Sequence, residues 1–369
     1  MKKIFLFSVF LFVLILNTVL IEGKTVQVQI DGQVPGIIPE GIEYVQNQFL
    51  LSSLADGKIY AVSALDQDGD SVASTREATV YINGNRDGWP VRSSSGLHVV
   101  RNRLYIAGSS FPPAQQAHGY WYDNVTLPSP ASVGWVGNAD FTPFFAVPEI
   151  LNDVVVSPKT RTAYYTASNE GMIMQVLGST TFNDVVSVLD ASELYKPGPV
   201  VGVGANGIEL YEDGEGNEHL IVCVSGEADY AKLVRVPVKE PELRRQIMFV
   251  DEQGNEVGEN LATGCDGIHF DGGYLYVASN ALGVSKLSSW DGWHSAQLVE
   301  RVTESVGGDN LLTTITTDDD GRVWGLFNGN FDATKEVYIQ SFDFQSSGAK
   351  NMIGLMMVFV CVSVVIIFG

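Results

Sequence analysis

The sequence predicts an all-β protein, a six-bladed β-propeller in which the first strand of each blade lines a central channel. A six-residue motif recurs six times at nearly constant spacing along the 369-residue chain. Between the copies lie short runs rich in β-branched and aromatic residues, bounded by Gly, Asp and Asn turns, as expected of successive strands. Outside the two ends of the chain, no long apolar stripe has the 3.6-residue period of a helix.

Each copy of the motif places a polar, oxygen-bearing side chain just before an apolar strand. The copies span residues 39–44, 94–99, 151–156, 205–210, 265–270 and 312–317. Their second positions are Glu40, Ser95, Asn152, Asn206, Asp266 and Thr313, separated by 55, 57, 54, 60 and 47 residues. A repeat of this length is typical of a closed ring of similar units. We therefore expect these side chains to converge near the ring axis, at the mouth of the channel.

The other strands of the units follow each motif copy in order. Strand-like runs lie at 49–54, 58–62, 103–108, 162–168, 171–176, 274–279, 283–287, 322–327 and 337–342. Residues 25–30 alternate between polar and apolar, as a strand with one buried face does. We expect this first strand to pair with the last blade, because closing the ring in this way protects the free strand edges.

The first 23 residues have the features of a secretory signal peptide. The chain starts with Met1, Lys2 and Lys3, continues with a mostly apolar run at 4–20, and reaches a small residue at Gly23. We predict cleavage near Gly23. The alternative is an uncleaved anchor helix, for which the apolar run is short. The propeller domain would then span residues 24–345.

The C-terminal end resembles the signal for a glycosylphosphatidylinositol (GPI) anchor. Residues 352–369 are apolar to the last residue, without a basic cluster after them, and small residues precede them at 346–349. In such a signal, residues 346–369 are removed and the lipid is attached, here at Ser346 or Ser347. The polar spacer is shorter than usual, so a retained single membrane-spanning segment is the alternative. Either arrangement places the propeller at the extracellular face of the plasma membrane.

Composition narrows the class of partner. The formal net charge of -21 argues against nucleic acid or an acidic membrane surface as a binding partner. Asn124 begins the sequence Asn-Val-Thr, an N-glycosylation sequon that fits the secretory route.

The cysteines are sparse. Cys361 would leave with the C-terminal tail, so that Cys223 and Cys265 remain as an even pair in neighbouring repeats. In an oxidising compartment they would form a disulfide bond, or else remain two buried thiols. No CxxC pattern is present, so a redox or zinc site has little support.

Several of the motifs, taken in order, resemble the gluconolactonase and senescence-marker-protein family of six-bladed propellers. The matching segments are PEGIEY at 39–44, FLLSSL at 49–54, GKIYAV at 57–62, NDVVVSPKTRTAYYTAS at 152–168, NGIEL at 206–210 and DGIHFDGGYLYVAS at 266–279. The resemblance covers roughly residues 39–280, with a weaker sixth blade. Paraoxonases and strictosidine-synthase-like proteins are more distantly similar.

This resemblance implies a calcium ion or another divalent cation on the propeller axis. The ligands would be Glu40, Asn206 and Asp266, and Asn152 at the same mouth would contact the substrate or complete the ligand shell. Asp266 would also act as the general base. The chemistry agrees, because hard cations prefer carboxylate and carbonyl oxygens and can polarise a lactone carbonyl. For the two hydroxyl-bearing mouth residues, in the second and sixth copies, we expect strand capping instead of metal binding.

The sequence also departs from the family at several positions. Ile42, Glu43 and Tyr44 stand in place of an aromatic-rich opening, Val154 replaces a common Gly, and Ser157 replaces an acidic residue. These changes leave the four predicted oxygen ligands intact but alter residues that are expected to face the substrate.

Two histidines, His98 and His269, share an offset of three residues beyond the mouth position. Simple strand alternation would turn this offset away from the side that carries Asp266. We therefore expect both histidines to pack within the blades and not to form a catalytic dyad.

The sequence thus favours a calcium-type, metal-dependent hydrolase that acts on small-molecule lactones or related esters at the cell surface. Asp266 would be the catalytic residue, Asn152 would contact the substrate, and all four oxygen ligands would hold the ion. The alternative is a non-catalytic extracellular propeller that binds a small ligand or a protein partner, since a fold does not decide a function.

Overall fold

The computed structural model describes residues 24–30, 36–64, 74–83, 93–109, 117–125, 134–145, 149–178, 185–196, 204–226, 231–258, 260–280, 282–303 and 310–344. The predicted signal peptide and the predicted GPI-attachment segment lie outside these residues. Within the described part of the chain, no helix is both long and apolar enough to cross a membrane.

The described residues form a six-bladed β-propeller, which confirms the predicted fold class. In the first three blades the strands are β2 Pro39–Val45, β3 Gln48–Ser53, β4 Ile59–Ser63, β5 Ser74–Ile82; β6 Ser93–Val100, β7 Arg103–Ser109, β8 Ala117–Asp123, β9 Gly134–Asp140; and β10 Leu151–Val156, β11 Ala163–Ala167, β12 Met172–Leu177, β13 Val185–Ala191. Neighbouring strands within each of these blades pair antiparallel.

The last three blades repeat this pattern. Their strands are β14 Ala205–Glu212, β15 Glu218–Val224, β16 Lys232–Pro237, β17 Arg245–Gln246; β18 Met248–Val250, β19 Cys265–Asp271, β20 Tyr274–Ser279, β21 Gly283–Ser288, β22 Ser295–Val302; and β23 Leu311–Thr317, β24 Val323–Asn328, β25 Val337–Phe342. Strand β18 adds to the outer edge of blade 5 by pairing parallel with β22. Short 3-10 helices lie at Thr142–Phe144, Glu193–Tyr195 and Pro241–Leu243.

The N-terminal strand closes the ring, as the sequence predicted. Strand β1, Thr25–Gln29, pairs antiparallel with β25 of blade 6, where Val26 lies opposite Ile339. Its other edge pairs parallel with β5 of blade 1, where Val26 lies opposite Ser74. The two ends of the folded chain are therefore joined in one sheet, and the outer edges of the first and last blades are both covered.

The apolar cores lie between adjacent blades. In one of them, Tyr105 and Trp121 of blade 2 pack with Leu151 and Tyr165 of blade 3, and all four side chains are almost fully buried. Each blade can bury its apolar faces only against its neighbours, so the ring forms as a unit.

The innermost strand of every blade contains a β-bulge close to the channel mouth. In each pairing with the second strand of the blade, the first strand carries one extra residue, and the shifts lie within 39–42, 94–97, 151–154, 205–208, 265–268 and 312–314. An extra residue reverses the inward and outward alternation beyond it. This reversal decides which side chains face the channel.

The inner strands also approach one another closely at the bulge. A Cβ atom built on Gly96 would lie 2.4 Å from Cα of Asp153 in the next blade. One built on Gly207 would lie 2.7 Å from the carbonyl oxygen of Asp266. Glycine is therefore required at these two positions, because backbone from the neighbouring blade occupies the place of a side chain.

Candidate functional site in the central channel

The mouth set, defined as Glu40, Asn152, Asn206 and Asp266, is brought together on the propeller axis. All four residues line one central cavity. They arrive there because each occupies the same position at the start of an inner strand, β2, β10, β14 and β19. The structure therefore places side by side four side chains that are separated by up to 226 positions in the sequence.

The two hydroxyl-bearing mouth residues have different environments. The Ser95 hydroxyl donates a hydrogen bond of 2.6 Å to the carbonyl oxygen of Leu151, which joins blades 2 and 3. Thr313 lines the cavity, is 1% exposed, and donates a long hydrogen bond of 3.4 Å to the carbonyl of Leu326. Both hydroxyls thus donate hydrogen bonds to backbone carbonyl oxygens.

Asp266 is held by the side chains around it. Asn206 Nδ2 donates to Asp266 Oδ1 at 2.5 Å and to Ser225 Oγ at 2.8 Å. Asn280 Nδ2 donates weakly to Asp266 Oδ2 at 3.4 Å. Asn206 and Asp266 are 4% and 7% exposed. The carboxylate is therefore oriented by its neighbours, and burial raises its pKa although both amide donors act to lower it.

Glu40 has an unsatisfied oxygen. Its Oε2 atom is buried and accepts no hydrogen bond from any described residue. Burial raises the pKa of Glu40 well above its usual value, and the negative charges of Asp266 and Asp153 raise it further. A buried carboxylate beside like charges is costly unless a proton or a cation balances it.

Asp153 is a channel residue that the sequence interpretation missed. Its oxygens accept hydrogen bonds from the backbone N–H of Val154, at 2.8 Å, and of Ile208 in the next blade, at 3.0 Å. Burial raises its pKa to about 7. The signal was present in the motif, because the residue after the mouth position is glycine in four copies and aspartate in the third.

Deeper in the channel lies a second group, the lower channel cluster, defined as Glu43, His98, Glu209 and His269. All four residues line the same cavity as the mouth set. The expectation that the two histidines turn away from the side carrying Asp266 was wrong. Each lies beyond the bulge of its strand, where the extra residue reverses the alternation.

Hydrogen bonds position three residues of the lower channel cluster, and one of these bonds joins two members of the cluster. His269 Nδ1 lies 3.0 Å from Glu209 Oε1, and its Nε2 lies 3.0 Å from Thr317 Oγ1. Glu43 Oε1 accepts a hydrogen bond of 3.1 Å from the backbone N–H of Val99. Burial acts to lower the pKa of His269, but the neighbouring carboxylates, Glu209 first, raise it above its usual value. Burial raises the pKa of Glu43 to about 8.

The residues of the mouth set fit a hard divalent cation. Among the described residues, no group of three or more His, Cys, Asp or Glu side chains is arranged to hold a metal ion. A cation here would therefore need carboxamide oxygens from Asn152 and Asn206 beside the two carboxylates, which is a donor set that calcium accepts. The unsatisfied oxygen of Glu40 and the mutual repulsion of the carboxylates are consistent with such an ion.

The size of the cavity limits what can enter the channel. Its volume is about 30 Å³, which is room for one or two water molecules or for an ion. A lactone ring is larger than this space. An organic substrate would therefore have to lie above the mouth set instead of within the channel.

Comparison with known proteins supports the fold and leaves the family open. No protein-family model and no curated protein matches the sequence. The major allergen Mala s 1 of Malassezia sympodialis matches in structure with a TM-score of 0.61 at 14% identity, covering 87% of this chain and 96% of that one. A candidate oxidoreductase (glucose dehydrogenase) of Thermus thermophilus matches with a TM-score of 0.53 at 11% identity, covering 87% of this chain and 100% of that one.

A candidate gluconolactonase is also among the similar structures. Its TM-score is 0.46 at 14% identity, over 86% of this chain and 92% of that one. This degree of similarity carries no argument about family or activity. At these identities the comparisons show the fold alone.

Proposed function

We propose that this protein is a divalent-cation-dependent hydrolase of lactones or related esters, of the gluconolactonase and senescence-marker-protein type. The observation that carries the proposal is the buried pair of carboxylates at the channel mouth. Glu40 has an oxygen without a hydrogen-bond partner among the described residues, and Asp266 lies close enough to raise its pKa. The carboxamides of Asn152 and Asn206 complete the mouth set, as the sequence motifs imply.

Glu40, Asn152, Asn206 and Asp266 would hold the cation, which would be calcium or a similar hard ion. When bound, such an ion polarises the substrate carbonyl and stabilises the negative charge that develops on its oxygen. Burial keeps water away from the carboxylates and strengthens their interaction with a positive charge. Asn152 has no side-chain hydrogen bond to another described residue, so its amide remains available to a substrate or to the ion.

Asp266 is the residue best placed to move a proton. The hydrogen bond from Asn206 fixes one carboxylate oxygen, whereas the other receives only the long contact from Asn280. A buried carboxylate with a raised pKa is a stronger proton acceptor than one in water. Asp266 would take a proton from the water that attacks the carbonyl, and Asn206 would hold the carboxylate in position.

The second candidate is a non-catalytic extracellular propeller that binds a small ligand or a protein partner. The narrow channel favours it, because a cavity of about 30 Å³ cannot enclose an organic substrate. On this alternative the mouth set would bind an ion that stabilises the ring without turning over any ester.

A turnover assay separates the two candidates. The purified protein is offered a panel of sugar, acyl-homoserine and aryl lactones, with and without a chelator. We expect chelator-sensitive hydrolysis that Asp266→Asn reduces at least a hundredfold, the usual scale for losing a general base. Glu43→Gln, the same kind of change deeper in the channel, is the matched control and should retain activity. Cation binding without turnover of any lactone would favour the binding module.

The proposed location is the extracellular face of the plasma membrane, through a GPI anchor or a single spanning segment. Asn124 of the predicted sequon is exposed on the propeller surface and so is accessible to a glycan. Release of the protein from intact cells by a phosphatidylinositol-specific phospholipase would support the lipid anchor. Retention after that treatment, with release only by detergent, would favour the spanning segment.

A further inference from the structure

A second cavity lies between blades 4 and 5, on the face opposite the channel mouth. Its volume is about 370 Å³. It is bordered by the start of β15, by the end of β16 with the short 3-10 helix that follows it, and by His294 just before β22. Because the inner strand β14 starts at the mouth with Asn206, its turn into β15 lies on the opposite face. This cavity is therefore separate from the mouth set.

The strand register places three basic side chains on one face of blade 4, next to this cavity. Arg235 in β16 lies directly opposite Arg245 in β17. It also lies opposite Ile221 in β15, and His219 stands two residues before Ile221, where its side chain points to the same side. The two arginines and His219 all border the cavity. Like charges directly opposite each other on neighbouring strands repel, so the two arginines lower the stability of the free protein.

Buried nitrogen atoms at this cavity lack partners. The Nε atom of Arg235 and the Nδ1 atom of His219 are buried and have no hydrogen-bond partner among the described residues. Nη2 of Arg235 lies 3.3 Å from Nε2 of His219, but the same ring nitrogen lies 2.9 Å from Oδ2 of Asp213. One ring nitrogen cannot donate to the carboxylate and accept from the guanidinium at once. The protein therefore satisfies the Arg235 guanidinium poorly, and a buried N–H without an acceptor is costly.

The lining of this cavity is positively charged, although the whole chain carries a formal net charge of -21. With the histidines neutral, three cations and two anions give the lining a net charge of +1: Arg235, Lys239, Arg245, Glu218 and Glu240. Burial lowers the pKa of His294, and the positive charge of Arg235 lowers it further. A ligand with one negative charge would balance this lining, whereas a dianion would exceed it beside the two glutamates.

We propose that this cavity binds a small organic acid, with one carboxylate group attached to an apolar body. A guanidinium holds a carboxylate through parallel N–H donors, and Arg235 and Arg245 would supply such donors from neighbouring strands. Pro237 and Leu243 border the same cavity, and Leu243 is 48% exposed, so an apolar body would find apolar surface there. A volume of about 370 Å³ is within the usual range for small-molecule sites.

The test measures carboxylate binding to the purified protein by calorimetry at constant ionic strength. Divalent ions are removed first, so that a carboxylate cannot bind through an ion at the channel mouth. The probes are octanoate, acetate as a carboxylate without a long apolar body, and inorganic phosphate as a more highly charged anion. Arg245→Gln removes one proposed donor, and Leu243→Ser removes apolar surface. Arg101→Gln removes the same charge from blade 2 and is the matched control. All three positions are exposed, so the variants should fold.

We expect octanoate to bind the wild-type protein and Arg101→Gln equally, and to bind Arg245→Gln at least about tenfold more weakly, the scale of a lost hydrogen bond to a charged group. Leu243→Ser should weaken the binding of octanoate but not that of acetate, which should bind wild type more weakly than octanoate does. Without ligand, Arg245→Gln should be at least as stable to heat as wild type, because the repulsion with Arg235 is removed. The proposal would be overturned if octanoate failed to bind the wild-type protein, if phosphate bound more tightly than octanoate, or if Arg245→Gln bound octanoate as tightly as wild type.

Discussion

The lower channel cluster predicts how stability depends on pH in the absence of a cation. Burial raises the pKa of Glu43 from 4.5 to about 8. Between these values the folded protein holds a proton that the unfolded chain has released. The free energy of unfolding therefore falls as the pH rises, because the folded state binds more protons. The stabilising contribution of the protonated Glu43 carboxyl group is complete below pH 4.5 and is lost as the pH rises through about 8.

The size of this effect follows from the same two values. A difference from 4.5 to about 8 corresponds to at most about 5 kcal/mol, at 1.36 kcal/mol for each unit. Glu43 keeps some contact with solvent, which screens its charge, so we expect about 2 kcal/mol. Glu43→Gln removes the titrating group, and its amide oxygen can still accept the hydrogen bond from the Val99 N–H. The variant should therefore match wild type near pH 5 and exceed it by about 2 kcal/mol near pH 9.

Urea unfolding in the presence of a chelator, at several pH values over this range, measures the difference. Glu215→Gln changes an exposed carboxylate and serves as the control, which should follow wild type at every pH. If Glu43→Gln and wild type lose stability in parallel as the pH rises, Glu43 is not the buried acid that the structure describes.

Further expected results concern the contacts between blades. Cys223 and Cys265 form a disulfide between β15 of blade 4 and β19 of blade 5, with their Cα atoms 6.4 Å apart and a sequence separation of 42. Replacing both cysteines with serine should lower the free energy of urea unfolding by about 4 kcal/mol, because the unfolded chain regains the entropy of an open loop. The reduced wild-type protein should lose the same amount, and an unchanged free energy of unfolding in the serine variant would contradict this. Gly96→Ala should cost about 1–3 kcal/mol because the new methyl meets backbone of Asp153, whereas Gly214→Ala, where nothing lies within 4 Å, should be almost neutral. Equal unfolding free energies for the two alanine variants would refute the close approach of the inner strands.

Much of the architecture could be predicted from the sequence, because a propeller repeats the same pattern of residues from blade to blade. The spacing of the mouth residues predicted the ring of blades, and the alternation at residues 25–30 predicted the closing strand β1. The even number of cysteines in the propeller allowed either a disulfide bond or two free thiols, and only the distance between the two Cα atoms distinguishes these alternatives. The number of residues between two cysteines does not give their distance in the fold.

The deeper part of the channel could not be predicted in the same way. A single extra residue in each inner strand turns His98 and His269 into the channel. Glycine follows the mouth position in four of the motif copies, and glycine within a strand often marks a bulge, but simple alternation was applied to these strands instead. Asp153 was overlooked because it occupies a position where four other blades carry glycine. The hydrogen bond from Asn206 that orients Asp266 likewise depends on geometry between blades.

Calorimetric titration of the chelator-treated protein with calcium shows whether the mouth set binds a cation. We expect one ion to bind near the channel mouth, with binding weakened at least tenfold, or by at least about 1.4 kcal/mol, in both Glu40→Gln and Asp266→Asn. Glu43→Gln, the same change as Glu40→Gln three residues further along β2, should retain the site. If calcium and other divalent ions fail to bind the wild-type protein, or bind Glu40→Gln and Asp266→Asn as tightly as wild type, the mouth set is not a cation site.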